Sequence, residues 1–222
     1  MSTPHHTPLR VAILGGSGKV AHELIVQLRR RGDDAVPIFR NADRVDELLE
    51  LGAIPVVLDI EKATTAQLAT ALAGSDAVVF AAGAGGGNPA RTRAVDYEGA
   101  VLAMAAASAV KVSRFVMVSS VGAGGPVPTE GDMAPYLQAK HDADEKLKAT
   151  ELRWTILRPG ALTDEPATGL VHLADTVDGG SIPRADVAAV ILAALDERSA
   201  VGQVWEFVSG SQPIADALGA QS

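Results

Sequence analysis

Short apolar runs alternate with amphipathic stretches along this chain. Residues 9–14, LRVAIL, form a β-rich apolar run that stops at Gly15, Gly16 and Gly18. Over residues 19–31, Val20, Ala21, Leu24, Ile25 and Leu28 recur at helical spacing, and Gly32 stands as a stop. The same reading predicts buried strands at 35–39, 54–58, 77–81, 115–119, 155–157 and 204–208. Helices are predicted at 43–51, 65–72, 91–109, 135–150 and 185–195. Strands that are apolar on both faces and separated by helices argue for a parallel sheet covered on both sides by right-handed crossovers. The expectation is one α/β domain over 9–222, preceded by a flexible tail at 1–8. The aperiodic segment 161–183 is expected to cap a pocket, and the Gly- and Pro-rich stretch 122–133 to be the mobile loop.

Composition fits that layout. The chain has 222 residues, 39 of them Ala and 22 Gly, with only 4% aromatics, so its helices must approach the sheet closely. It has no cysteine, which removes disulfide and thiolate chemistry. A net charge of −8 argues against nucleic acid and anionic lipid as partners while leaving room for one small anion in a local basic site. No apolar run approaches the roughly 18 residues of a membrane span, and the opening MSTPHHTPLR has no leader-like apolar core. These features read as a soluble cytoplasmic protein.

The segment VAILGGSGKVAHEL reads as strand, tight turn and helix. Glycines there let the backbone turn sharply and come within contact of a pyrophosphate, and Ala21 lets the helix approach the strand. The helix N-terminus offers free N–H groups and a partial positive charge to phosphate. No G-x-x-x-x-G-K-[ST] pattern is present, so a nucleoside-triphosphate loop is not supported. The second strand ends in Arg40, with Arg44 one turn further on and no acid at its tip. That favours NADP(H) over NAD(H), an arginine being suited to the 2′-phosphate, with a solvated surface arginine as the other reading. Asp59, after the third strand, suits either the adenine amino group or the cap of the next helix.

Ser119 and Ser120 follow the fifth predicted strand, at the edge where parallel sheets bind ligands. Tyr136 and Lys140, four residues apart, share one helix face. An ammonium beside a phenol favours the phenolate and makes a competent proton donor or acceptor near neutral pH. A serine hydroxyl nearby can hold a carbonyl oxygen while a hydride moves to or from nicotinamide.

With these motifs in place, the chain resembles atypical short-chain dehydrogenases/reductases, the small NAD(P)H-binding proteins grouped with biliverdin reductase B and NmrA-like sequences. The resemblance runs through GGSGKVA, Arg40, Asp59, FAAGAGG, VMVSS, YLQAK, LRPGAL and IPRADVA. It implies a doubly wound Rossmann-like parallel sheet with helices on both faces. It assigns Gly15, Ser17, Gly18, Lys19 and Val20 to the phosphate loop, Arg40 to the 2′-phosphate, and Asp59 and Ile60 to adenine. Ala81, Ala82 and Gly83 would flank the adenosine side. Ser119 would lie near nicotinamide, with Pro159, Gly160, Ala161 and Leu162 against its ring.

The function so implied is an NADPH-dependent oxidoreductase acting on a small carbonyl or similar acceptor. Tyr136 would give the proton, Lys140 would tune it and orient the nicotinamide ribose, and Ser120, ahead of Ser119, would polarise the acceptor. Two alternatives stand beside it: a non-catalytic NADP(H) sensor, and an epimerase- or dehydratase-like isomerase, although the long substrate domain of sugar-nucleotide epimerases is missing. A monomer or a homodimer is expected, the helices at 91–109 and 135–150 being the surfaces that would pair.

Other signals read as structural. His5 and His6 sit in the polar tail, His22 and His172 are isolated from any metal-ligand spacing, and His141 points away from Lys140. No metal is expected. Asp142, Asp144 and Glu145 suit the dipole of their helix. Arg184 and Asp186 either pair beside the pocket or serve the start of a helix, and Trp154 and Trp205 belong to the core.

Overall fold

The computed structural model describes residues 7–85 and 88–219, so His5 and His6 lie outside it. Seven strands are parallel: β1 (Arg10–Leu14), β2 (Asp34–Phe39), β3 (Val56–Val57), β4 (Ala77–Phe80), β5 (Arg114–Val118), β6 (Arg153–Pro159) and β10 (Gln203–Ser209). Their spatial order is β3-β2-β1-β4-β5-β6-β10. The winding therefore reverses between β1 and β4, and a crevice opens beyond their carboxyl ends.

Side chains alternate across these strands, which divides the core in two. Val11 and Ile13 face one layer, with α1 (Lys19–Arg31), α2 (Val45–Glu50), α7 (Arg184–Asp196) and α8 (Ile214–Gly219). Ala12 and Leu14 face the other, with α3 (Thr65–Leu72), α5 (Gly99–Ala109) and α6 (Ala134–Lys148). The alanines sit where they were expected, since α5 buries Ala100, Ala103, Ala106 and Ala107 against the sheet. Each helix so covered adds apolar burial at about 25 cal/mol per Å².

Three elements depart from the expected pattern. The strand predicted at 54–58 shrinks to the two residues of β3, because Pro55 has no N–H to give the ladder and the strand lies at the sheet edge. The helix predicted at 91–109 starts earlier, at α4 (Pro89–Thr92), where Asn88 caps it, and passes through a π-helical turn at Arg93–Glu98 before α5 begins.

The third departure is at 161–183, which contains β7 (Ala161–Thr163), β8 (Leu170–Ala174) and β9 (Ser181–Pro183). β8 joins the main sheet antiparallel to β10, and β11 (Gln212–Pro213) follows antiparallel to β8, so the sheet is mixed at this edge. Val171 and Leu173 are buried while His172 points outward, the alternation of a half-covered antiparallel strand. β7 and β9 form a separate parallel pair beside the crevice. Among the described residues no helix is long and apolar enough to cross a membrane.

Candidate functional site

Beyond β1 the backbone folds back on itself: the N–H groups of Gly15 and Gly16 both donate to the Ile38 carbonyl, at 3.1 and 3.0 Å. Gly15 has φ 79°, and a Cβ there would lie 2.6 Å from Cα of Ala82. A Cβ on Gly16 would lie 2.4 Å from that of Pro37. Only glycine fits both places. Gly18, the N-cap of α1, brings no side chain to the helix end, and the first turn carries no acid. Its unclaimed N–H groups suit an anion. Gly15→Ala combines left-handed strain with a backbone clash and is expected to cost about 1–3 kcal/mol or more of stability, read as a lower urea midpoint.

α6 carries Tyr136 and Lys140 to the far wall of the same crevice. Lys140 is 3% exposed. Its Nζ donates to the carbonyls of Val118 at 3.1 Å and Ala82 at 3.5 Å, lies 3.1 Å from Oδ1 of Asp96, and stands 5.8 Å from the Tyr136 ring centroid. An ammonium has three hydrogens, and each has an acceptor close by. Burial opposes its charge, but Tyr136, Asp96 and Asp144 outweigh burial and hold Lys140 above the ordinary lysine range.

Sequence reasoning missed Asp96. It is fully buried on the π-helical turn, and its Oδ2 accepts from the Ala84 N–H at 3.0 Å. The pair therefore clasps α6, the end of β5 and the loop after β4. A legible signal existed: Asp96 shares a helical stripe with Ala100, Ala103 and Ala107, all buried.

A second buried pair lies under the serines. Ser119 donates its hydroxyl to Oδ2 of Asp144 at 2.9 Å, and Nε of Arg158 donates to the same oxygen at 3.0 Å. Asp144 does more than suit the helix dipole: it continues the Tyr136, Lys140 face by another turn and is fully buried. Burial raises its carboxyl above the usual range against the opposing pulls of Arg158 and Ser119. The loop after β5 rests on this pair, since a Cβ on Gly124 would fall 2.0 Å from Nη1 of Arg158. Ser120 is half-buried and donates only to the adjacent Val121 carbonyl, at 3.1 Å. His141 is structural, its Nδ1 lying 2.9 Å from the Ala123 carbonyl.

These elements enclose a cleft of about 1150 Å³. Gly18, Lys19 and Val20 border it from the glycine loop, and Ala81, Ala82 and Gly83 from the end of β4. Ser119, Ser120, Tyr136 and Lys140 form the opposite wall, and Pro159, Gly160, Ala161 and Leu162 close one side. Gly160 is forced, because a Cβ there would meet the Gly180 carbonyl at 2.5 Å.

Other sequence-predicted residues lie apart from this lining. Gly15 does not border the cleft, and Ser17 lines a smaller neighbouring pocket that also takes in Arg44. Arg40 is exposed and donates to Oε1 of Glu61 at 3.0 Å. Asp59 accepts from the Glu61 N–H at 3.1 Å, and Ile60 packs into the core beside α5. Arg184 does not pair with Asp186: it donates to Asp164 at 2.6 Å, while Asp186 accepts from the Thr168 and Gly169 N–H groups, both at 2.9 Å. The buried carboxylate is drawn to the sharp turn before β8, which leaves the arginine to the cleft.

Comparison with known proteins agrees with this geometry. The profile of a family described as NAD(P)H-binding matches residues 15–198. A protein of Bacillus subtilis (strain 168) named an uncharacterized sugar epimerase, YhfK, is 34% identical over 211 residues, covering 95% of this chain and 99% of its own. Among solved structures, a putative NAD-dependent epimerase/dehydratase from Bacillus halodurans superposes with a TM-score of 0.89 at 38% identity, over 96% of this chain and 99% of that one. ChuY, an anaerobillin reductase from Escherichia coli O157:H7, does so with a TM-score of 0.76 at 25% identity, over 91% and 97%. The glycine turn, the reversal point of the sheet and the Tyr–Lys wall thus fall inside a match that spans most of the sequence, and the chain belongs to the NAD(P)H-binding family, among the atypical short-chain dehydrogenases/reductases with a Rossmann-like fold.

Proposed function

We propose that this protein is an NADPH-dependent oxidoreductase that reduces a small carbonyl or similar acceptor. The observation that carries the reading is the placement of Tyr136 and a buried, charged Lys140 on a cleft wall opposite an uncapped helix N-terminus. The uncapped α1 end, free of first-turn acids, fits a dinucleotide pyrophosphate, with Gly15, Ser17, Gly18, Lys19 and Val20 around it. Asp59 and Ile60 would face adenine, Ala81, Ala82 and Gly83 the adenosine, and Ser119 and Pro159 to Leu162 the nicotinamide. Bound there, the cofactor supplies a hydride to the acceptor carbon.

The chain's own residues do the rest. Tyr136 gives its proton to the acceptor oxygen as that oxygen gains charge. Lys140 steadies the charge left on the phenol oxygen, and its longest bond, to Ala82, is the one a ribose hydroxyl would replace. Ser120 is better placed than Ser119 to hold the acceptor oxygen, because Ser119 gives its hydrogen to the buried Asp144 carboxylate, whereas half-buried Ser120 gives its own to the neighbouring Val121 carbonyl, a bond it can exchange. The lining at 161–162 and 179–180 serves as the cap that selects the acceptor.

Arg40 must exchange Glu61 for the 2′-phosphate. Arg40→Ala is expected to weaken NADPH binding about tenfold, the worth of one charge-assisted hydrogen bond, and to leave NADH unchanged; fluorescence titration of both reads this. Equal binding of the two by the parent chain would remove the 2′-phosphate assignment. NADPH oxidation with a panel of aldehydes, quinones and flavins tests the activity. A second reading, hydride returned to the same molecule, is favoured by the names of the two Bacillus relatives. It predicts substrate conversion without net NADPH consumption.

A further inference from the structure

Lys19 and Arg184 are the first residues of α1 and α7. The two helices pack against each other, with Gln27 in the second half of α1 donating to the Ala185 carbonyl at 2.9 Å, and Lys19 and Arg184 both line the cleft. One carboxylate spans the two cations. Oδ2 of Asp164 accepts from Lys19 at 2.5 Å and Oδ1 accepts from Arg184 at 2.6 Å. Asp164 itself lines only the neighbouring pocket of about 370 Å³. The hydrogen bond from Lys19, with Arg184 adding to it, holds its carboxyl below the usual range, so it is an anion at neutral pH.

A carboxylate that gives one oxygen to each of two cations occupies the ligation that two phosphate oxygens would take. We propose that Arg184, together with Lys19, is a ligand of the dinucleotide pyrophosphate, and that Asp164 is an intramolecular competitor displaced when the cofactor binds. The proposal rests on the dinucleotide reading of the cleft. It makes cofactor affinity a difference between two anions for one pair of cations, and so lowers it by design. All three side chains keep solvent access, so the competition is modest and salt-sensitive.

Calorimetric titration with NADP+, ADP-ribose and adenosine tests it. Asp164→Asn is expected to tighten NADP+ and ADP-ribose by the same factor, about threefold at low ionic strength, and the gain should shrink in high salt. Adenosine, with no phosphate, should not change. Arg184→Met should weaken both phosphorylated ligands, and Glu165→Gln, an equal change of charge in the same small pocket, should do less than Asp164→Asn. If Asp164→Asn binds NADP+ no tighter than the parent, Asp164 is not a competitor. Tightening of NADP+ without ADP-ribose would move the two cations to the 2′-phosphate and overturn the pyrophosphate assignment. Should the parent chain bind neither NADP+ nor NAD+, the dinucleotide reading falls together with this one, whereas binding that is indifferent to Asp164 overturns only the competition.

Discussion

Asp96→Ala is expected to cost about 3–5 kcal/mol of folding stability, the usual penalty for leaving one charge of a buried pair without its partner. The Lys140 ammonium would keep its two carbonyl contacts but lose its counter-charge, and the Ala84 N–H would lose its acceptor. Against a typical total of about 5–15 kcal/mol, that is a large share. Urea denaturation measures it. Removing both charges, as Asp96→Ala with Lys140→Met, should recover much of the loss, because the desolvated ammonium goes as well. A single-site cost that the double variant does not relieve would mean that the pair's charges are not what couples these elements.

The pH dependence gives an independent check. Lys140 is held above its ordinary value, so its contribution is fully present below the unfolded lysine pKa of about 10.4 and is lost as pH climbs through the folded value. The parent should therefore show no Lys140 contribution to slope between about pH 7 and 9, and should lose stability only in the alkaline range. Without Asp96, burial still lowers Lys140 while only Tyr136 and Asp144 remain to raise it, so its upward shift is reduced. The contribution that Lys140 loses in the alkaline range should therefore be smaller in that variant than in the parent.

Tyr136→Phe is expected to lower turnover of an identified acceptor by about 10²-fold or more, the contribution of a positioned general acid. NADPH affinity should stay within about twofold, since the ring and its 5.8 Å contact with Lys140 remain. Steady-state NADPH oxidation together with binding titration separates the two effects. Turnover within about threefold of the parent would take the proton-donor role away from Tyr136. The tyrosine is a cleaner position for this test than Lys140, because Lys140→Met also opens the clasp with Asp96 and would mix stability with chemistry. Phenylalanine removes one oxygen and little else.

Tyr136 and Lys140 share one stripe of α6 and Asp96 meets Lys140 from another helix, and only part of this arrangement is legible in the sequence. The spacing of Tyr136 and Lys140 placed them on one face, as found. Asp144, one turn further, reads in sequence as an acid that suits the helix dipole, because nothing near it in the chain announces Arg158 of β6 as its partner. Asp96 carries a legible sign of burial in its stripe with Ala100, Ala103 and Ala107, but the periodicity of one helix does not name a partner such as Lys140 on another. The antiparallel β8 was missed although Leu170–Ala174 alternates, since five residues between glycine- and proline-rich turns read equally well as loop.

What the sequence by itself determined is whatever depends on near neighbours. Apolar spacing set the strands and helices, small residues on one helix face set how closely the layers approach, and the glycines at 15 and 16 set a turn that no other residue type can make. The tertiary structure alone decided which charges meet. Lys19 finds Asp164 145 residues away, Lys140 finds Asp96, and Arg158 finds Asp144, because long polar side chains take their partners from whatever the sheet order brings within about 3 Å. Those encounters also settled that Ser119 spends its hydrogen inside the protein and that Arg184 turns from Asp186 toward the cleft. A hydroxyl or a guanidinium carries no periodicity, and its direction follows only from the packed neighbours that surround it.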